Sequence, residues 1–246
     1  MTHILRSEWT KIRSVRSTVW TLAVTALLML GIGALISGAA AGSTDEPIPG
    51  DQTITLSLTG IMFAQLAMAT LGVLVISSEY RTGGIRTSLM AVPRRLSLLT
   101  GKVVVFTVVA FVVSTIASAA ALALGALITQ PPSIDLAEAA SKALGAGLYL
   151  TACGLFGLAL GAGIRHTPGA IVSAIALMLV LPQIAGQLPG QWGKVVGDYF
   201  TTNAGALIAL RLRESDLGPW SGFGVYLVWI AVTMVVGAVL LQRRDA

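Results

Sequence analysis

Long apolar stretches without a single charged residue alternate with short charged stretches along the whole chain. Six of the apolar stretches exceed the roughly 20 residues that an α-helix needs to cross about 30 Å of hydrocarbon. The pattern predicts an all-α membrane protein with six transmembrane helices, at about residues 17–42, 53–78, 103–130, 143–164, 168–189 and 219–242. A further apolar run at 199–210 is too short to cross, and it predicts a short external re-entrant segment between spans 5 and 6.

The first 16 residues form an amphipathic pattern rather than a spanning one. On a helix with 100° per residue, four apolar side chains fall on one side: Leu5, Trp9, Ile12 and Val15. The sequence therefore predicts an N-terminal interfacial helix over 1–16, with Trp9 at the level of the lipid headgroups, ahead of a six-span domain over 17–246. Two roles stay open for this helix: a lipid anchor alone, or an anchor whose polar face also contacts a soluble partner.

The connection between spans 2 and 3 has a defined local pattern within residues 77–102. A Glu-Tyr-Arg opens it, Gly83-Gly84 breaks the preceding helix, and Pro93 ends the next helical stretch. The pattern predicts a short cytoplasmic helix over 85–92 with exposed apolar side chains at Ile85, Leu89, Met90 and Val92. Exposed apolar side chains on such a helix favour contact with a partner surface.

Composition and charge narrow the class of protein. Hydrophobic residues make up 55% of the 246 residues and charged residues 11%, whereas a soluble domain has roughly 25% charged residues; a soluble enzyme is therefore excluded. Twelve of the 16 Lys and Arg residues lie on the side that holds both termini. By the positive-inside bias, both termini are predicted to be cytoplasmic in a multi-pass protein of the cell membrane. The net charge of +5 is spread over the span ends, which favours contact with membrane lipids over a nucleic acid partner.

Residues that carry chemistry are scarce. His3 and His166 have no partner at metal-ligand spacing and Cys153 is the single cysteine, so no metal site is predicted. Both Gly-Lys pairs, 101–102 and 193–194, are followed by Val and do not match a P-loop. The chain is therefore predicted not to be an enzyme by itself and to bind no cofactor. No span interior holds an Asp, Glu, Lys, Arg or His residue, which argues against proton coupling but leaves sodium coupling open.

Residues 77–102 resemble the cytoplasmic segment of type 2 permeases of ATP-binding cassette (ABC) exporters. In that family an acidic residue with a neighbouring base is followed by Gly, by a short helix that ends near a Pro-Arg-Arg, and by Gly-Lys at the next span. The matching residues occur in the same order: Glu79, Arg81, Gly83, Gly84, Pro93, Arg94, Arg95, Gly101 and Lys102. The N-terminal Glu8-Trp9-Thr10-Lys11, the six spans and the bent segment between spans 5 and 6 extend the resemblance over essentially the whole chain.

The resemblance implies a permease half that pairs with a second copy or a close relative. One cytoplasmic ABC ATPase subunit would lie beneath each half and would bind the ATP and Mg²⁺. The short helix between spans 2 and 3 and the N-terminal helix would dock onto that ATPase, which assigns coupling to Glu79, Arg81, Ile85, Leu89, Met90, Val92, Arg94, Arg95, Trp9 and Lys11.

Spans 2 and 5 would line the path of the cargo, which assigns the path to Thr59, Met62, Gln65, Ser173 and Gln183. For Gln65 two interpretations stay open: a packing residue bonded to a neighbouring helix, or a residue that faces the cargo. A path this apolar suits an amphipathic or hydrophobic cargo better than an ion. The predicted function is therefore export of such a cargo, with a secondary transporter or channel, or less readily a membrane-embedded enzyme, as the alternative.

Overall fold

The computed structural model describes residues 2–44, 46–82, 95–210 and 215–243. The helix predicted over 85–92 lies outside these ranges, and so do the coupling residues Ile85, Leu89, Met90, Val92 and Arg94. For Arg81 and Arg95 the structure describes the helical backbone but not the side chain.

Helices make up most of the described chain, and no strand occurs in it. In chain order they are α1 (Thr2–Ser14), α2 (Arg16–Ser43), α3 (Gly50–Leu58), α4 (Ile61–Thr82), α5 (Arg95–Thr129), α6 (Leu136–Ile164), α7 (Thr167–Ile175), α8 (Leu181–Ala185), α9 (Gly190–Tyr199), α10 (Thr201–Gly205) and α11 (Pro219–Arg243). A π-helical turn, Ala176–Val180, joins α7 to α8, and a 3₁₀ turn, Ala206–Ile208, follows α10.

Six helical stretches of the described chain are long and apolar enough to cross a membrane. They are Arg16–Ser43, Gly50–Tyr80, Leu96–Thr129, Leu136–Ile164, Thr167–Ala185 and Pro219–Leu240. The prediction of an all-α fold is confirmed for the residues described, and the six predicted spans correspond to these six candidate membrane-spanning helices. The interfacial position of α1 and the re-entrant character of the segment before α11 stay predictions.

Helix α6 is the centre of the bundle. In the most apolar 18-residue stretch of α6, 83% of the residues are buried, whereas 17% are buried in the corresponding stretch of α2. The reason is that α6 packs against α4, α5 and α11. Its glycines permit this closeness. A Cβ at Gly157 would lie 2.0 Å from the carbonyl oxygen of Ala69, and a Cβ at Gly72 of α4 would lie 1.9 Å from that of Gly154.

Two helices extend well beyond the apolar stretches that predicted them. Helix α5 has 35 residues, about 52 Å at 1.5 Å per residue. Because it begins at Arg95, Lys102 lies two turns inside the helix. Helix α6 begins at Leu136 because Asp135 caps it, accepting hydrogen bonds from the backbone N–H groups of Ala137 and Glu138. The uncharged run locates where a span can be apolar, whereas caps and breaks decide where the helix ends.

Candidate functional site

Four charged side chains from three helices meet at one end of the bundle. They are Glu8 and Lys11 of α1, Glu79 of α4 and Lys102 of α5, and together they form what we call the ionic cluster. The Lys102 Nζ lies 2.7 Å from Glu8 Oε2 and 2.6 Å from Glu79 Oε1. The Lys11 Nζ lies 2.8 Å from Glu8 Oε1 and 2.8 Å from Glu79 Oε1. Each lysine therefore joins both carboxylates, and the four groups close a ring.

The pattern of α1 explains how the ring forms. Ile4, Glu8 and Lys11 follow one another at a spacing of four and three residues, so they share one edge of the helix. This edge lies on α5 at Gly101, where a Cβ would come within 2.5 Å of Ile4 Cγ2. The absence of that Cβ brings α1 close enough for Glu8 to reach Lys102, while Trp9 on another side is 51% exposed.

Burial gives the ring its electrostatic character. The side chains of Lys102 and Glu8 are only 3% and 4% exposed, Glu79 is 13% exposed, and Lys11 is the outermost member. Burial lowers the pKa of Lys11, but the hydrogen bonds that Lys11 donates to Glu79 and Glu8 outweigh it and hold the pKa above its usual value. Two cations balance two anions, so removing any buried member leaves an uncompensated charge in a poorly solvated place.

The ring includes two of the predicted coupling residues, Glu79 and Lys11. Trp9, the third predicted coupling residue with a described side chain, lies outside it. Sequence reasoning did not assign Glu8 and Lys102 to the site, although both belong to the motifs that carried the resemblance. The Glu8–Lys11 spacing of three residues was a local signal of an ion pair, but nothing in the sequence pairs Glu8 with a lysine 94 positions away.

A cavity of about 270 Å³ lies between α4, α6 and the broken fifth span. Its wall includes three of the predicted path residues, Met62, Gln65 and Gln183, and it does not include Thr59 and Ser173. Polar side chains that sequence reasoning did not assign also line it: Tyr149, Asp198, Thr202, Asn203 and Ser215. We call this the central cavity.

Gln65 is hydrogen-bonded to a neighbouring helix and also lines the central cavity. Its Nε2 donates to the carbonyl oxygen of Met62 at 2.9 Å, and its Oε1 accepts a hydrogen bond from the hydroxyl of Tyr149. The side chain is therefore bonded to the neighbouring helix α6, as a packing residue would be, and it also lines the central cavity. Contact between Gln65 and a cargo stays a prediction.

The wall of the central cavity contains a break in the backbone hydrogen bonding of span 5, where neighbouring hydroxyls act as donors in place of backbone N–H groups. Pro182 has no N–H to donate, and the Leu181 N–H bonds the carbonyl of Ala176 in the π turn. The hydroxyls of Thr201 and Thr202 donate, each at 2.7 Å, to the carbonyls of Leu177 and Met178 in this turn. Non-helical backbone at membrane depth is tolerated where such internal partners exist.

Asn203 donates two further hydrogen bonds to backbone carbonyls in this region. Its Nδ2 donates to the carbonyl of Pro182 at 3.1 Å and to that of Gly197 at 2.9 Å, so it ties the broken span to α9. Within the apolar run 199–210 that predicted a re-entrant segment, the last four residues, Leu207 to Leu210, are buried in protein. Within the described residues, no three His, Cys, Asp or Glu side chains are grouped so that they could hold a metal ion.

Comparison with known families identifies the chain. A model of the family described as "ABC-2 family transporter protein" matches residues 4–183, well over half of the chain, and this segment includes all four members of the ionic cluster. No curated protein matches the chain significantly. The resemblance drawn from the sequence is thus confirmed: the chain belongs to the ABC-2 transporter family and is a multi-pass permease component of an ABC transporter.

Proposed function

We propose that this chain is the membrane-spanning half of an exporter that moves an amphipathic or hydrophobic cargo out across the cell membrane. Membership of the ABC-2 family implies association with ABC ATPase subunits, and in our proposal these are separate cytoplasmic chains that bind the ATP and Mg²⁺. The permease pairs with a second copy or a close relative, and both termini are cytoplasmic. The ionic cluster is the observation that carries this proposal.

The ionic cluster lies where a coupling joint is needed. Glu79 is three residues before the end of α4, and Lys102 is two turns inside α5. Residues 83–94 connect these two helices. Because Lys102 bonds both Glu79 and Glu8, a displacement of that connection moves the ends of spans 2 and 3 and α1 as one unit rather than bending one helix alone.

The contact with the ATPase is proposed from the sequence of the connection. The apolar residues Ile85, Leu89, Met90 and Val92 would fill a groove on the ATPase, with Arg81, Arg94 and Arg95 adding charge contacts. The polar side of α1, which includes Lys11, would form a second contact. Trp9 would hold α1 in the headgroup layer.

The cargo path is proposed to pass through the central cavity. Its wall combines apolar Met62 with the polar side chains of Gln65 and Gln183, a mixture that suits a molecule with both apolar and hydrogen-bonding parts. Thr59 and Ser173 lie on the same two spans outside the cavity wall, and we assign them to the continuation of the path.

Purification of the tagged chain with its native partners tests the coupling proposal. We expect an ABC ATPase to co-elute with the wild type and with Leu89→Met, which keeps the position apolar. Leu89→Asp should release the ATPase, or uncouple ATP hydrolysis from transport, because a carboxylate cannot enter an apolar groove without losing its hydration. The single buried Cys153 should stay unreactive toward a maleimide in the folded variant.

A full complement of ATPase with normal transport in Leu89→Asp would mean that 85–92 is not the coupling helix. Transport that persists without any ATPase would instead favour a secondary transporter or channel. Turnover of a lipid or peptide by the purified chain alone would favour a membrane-embedded enzyme.

Gln65→Leu tests the cargo path in the same complex. We expect an altered cargo preference or altered cargo-stimulated ATPase activity with assembly intact, because the substitution removes an amide from the cavity wall. Gln187→Leu is the matched control, since Gln187 is exposed and does not line the cavity. If Gln65→Leu lowers only expression and stability, Gln65 is a packing residue and the path lies elsewhere.

A further inference from the structure

A second concave surface lies on the outside of the bundle, between α5, α6 and the start of α11. It has a volume of about 460 Å³, and its wall includes Phe111, Ser141, Lys142, Leu144, Leu148 and Trp220. We call it the lateral groove. Its volume falls within the roughly 300–1,000 Å³ of ordinary small-molecule sites, and two of its apolar lining residues, Leu144 and Trp220, are exposed at the surface of the bundle.

Polarity changes along the lateral groove in one direction. Ser141 and Lys142 lie in the second turn of α6, whereas Leu144 and Leu148 follow on the same helix toward its middle. At 1.5 Å per residue, Lys142 and Leu148 are about 9 Å apart along the axis. Trp220, 71% exposed, lies at the start of α11, and tryptophans at span ends favour the membrane–water interface. The groove is thus polar at the interface and apolar toward the membrane centre.

Lys142 is the charged group of this groove. Its side chain is half-buried, and within the described parts of the chain no carboxylate oxygen lies within 4 Å of its Nζ. The nearby hydroxyl of Ser141 already donates to the carbonyl of Glu138 at 2.8 Å. The ammonium group therefore has three N–H donors to offer to an anion at the interface end of the groove.

We propose that the lateral groove binds a glycerophospholipid with an anionic headgroup. Lys142 contacts the headgroup phosphate, and one acyl chain lies against Leu144, Leu148 and Phe111. Both features of the ligand follow from the groove: one cation at the interface selects negative charge, and the apolar wall beyond it matches hydrocarbon.

The bound lipid also supports the central cavity. The 3₁₀ turn Ala206–Ile208 separates the two spaces, since Ala206 and Leu207 line the cavity and Ile208 lines the groove. The turn packs closely against α6 at Gly145, where a Cβ would lie 2.4 Å from the Ile208 carbonyl oxygen. An acyl chain in the groove fills the space on the membrane side of that turn. This inference does not depend on which cargo the protein carries.

Quenching of tryptophan fluorescence by brominated lipids tests the proposal in the full chain. The purified protein is reconstituted with dibromo-phosphatidylglycerol or dibromo-phosphatidylcholine in a bilayer of unbrominated phosphatidylcholine. The chain has five tryptophans, so the difference between the wild type and Trp220→Phe isolates the signal of Trp220. We expect the anionic lipid to quench Trp220 at about fivefold lower mole fraction than the zwitterionic lipid, the preference that one lysine near a membrane surface gives.

Three variants link this preference to the groove. Lys142→Gln should remove it, whereas Lys194→Gln, which removes a lysine outside the groove, should preserve it. Lys142→Arg should retain it, and protection of Cys153 from maleimide reports that each variant is folded. Equal quenching by the two lipids, or a preference that survives Lys142→Gln, would overturn the proposal. Absence of quenching by either lipid would mean that protein covers the groove, and would overturn it as well.

Discussion

At the end of the bundle that holds Glu79, four formal charges pack against one another, and two of them, Glu8 and Lys102, are fully buried. Around the break in span 5, by contrast, carbonyls accept hydrogen bonds from neutral hydroxyls and an amide. Lys102 Nζ and its two carboxylate partners are 2.6–2.7 Å apart. The neutral bonds from Thr201 and Thr202 are equally short, at 2.7 Å. The two regions thus differ in the charge of the bonded groups and not in the closeness of the bonds.

This difference suits the two roles that we propose, a joint at the ionic cluster and an adaptable wall at the central cavity. Loss of one charge in the ionic cluster leaves its partners unpaired and poorly solvated, so the cluster tolerates few alternative arrangements. A neutral hydroxyl bond inside a membrane protein contributes only about 1 kcal/mol, and carbonyls can exchange such partners at little cost. A joint that transmits movement has to resist rearrangement, as the charged groups of the ionic cluster do. A cavity wall that admits varied apolar molecules has to exchange hydrogen-bond partners at little cost, as neutral groups can.

The largest expected effect comes from breaking the ionic cluster. Lys102→Met should lower the free energy of unfolding by roughly 3–5 kcal/mol, because it leaves the carboxylates of Glu8 and Glu79 buried with less compensation. The measurement is thermal unfolding in detergent, followed by the reaction of a fluorogenic maleimide with Cys153. Cys153 is the single cysteine and is fully buried, so its reaction reports unfolding.

Lys194→Met is the control for that measurement. Lys194 pairs with Asp216 at 2.9 Å, but the two side chains are 55% and 83% exposed, and such a surface pair contributes at most about 1 kcal/mol. Equal destabilisation by the two variants would mean that the ionic cluster is no stronger than a surface ion pair. The proposed difference in rigidity between the ionic cluster and the neutral region would then be wrong.

A smaller effect is expected from the neutral region. Thr202→Val should lower the free energy of unfolding by about 1 kcal/mol, because the Met178 carbonyl loses its donor and Pro182 cannot replace it. Thr233→Val removes a hydroxyl of the same type that bonds the carbonyl of Trp229 within α11. That carbonyl is within an intact helix, so this control should change stability by only a few tenths of a kcal/mol. Similar losses in both variants would show that the break in span 5 needs no external donor.

These two regions also mark where sequence reasoning succeeds and where it stops. Uncharged runs identify the six spans because an unpaired charge is expensive in hydrocarbon, so the constraint is local and leaves a direct trace. Pro182 likewise locates the missing N–H of span 5. The replacement donor Thr202 lies 24 positions away from Met178, and Lys102 lies 94 positions from Glu8. Such pairs arise from packing, which no periodicity encodes.

The smallest expected effect concerns Lys11, the exposed member of the ionic cluster. Its pKa is raised above the usual 10.5 in the folded protein. The contribution of Lys11 to stability should therefore be fully present below about pH 10.5 and be lost as the pH rises through the higher folded value. Because Lys11 is more than a third exposed, solvent screening should limit the effect of Lys11→Gln to about 1 kcal/mol or less.

A nitroxide label on α1 measures this effect locally. With Thr10→Cys in a Cys153→Ser background, the label should show constant mobility between pH 7 and 9.5 and higher mobility once the pH rises through the raised pKa of Lys11, where Lys11 loses its proton. The same label in a Lys11→Gln protein is the control, and it should lack the part of the alkaline change that belongs to Lys11. An identical alkaline change in both proteins would mean that Lys11 does not hold α1. Attachment of α1 would then depend on the buried Glu8–Lys102 contact and on the packing of Ile4 at Gly101.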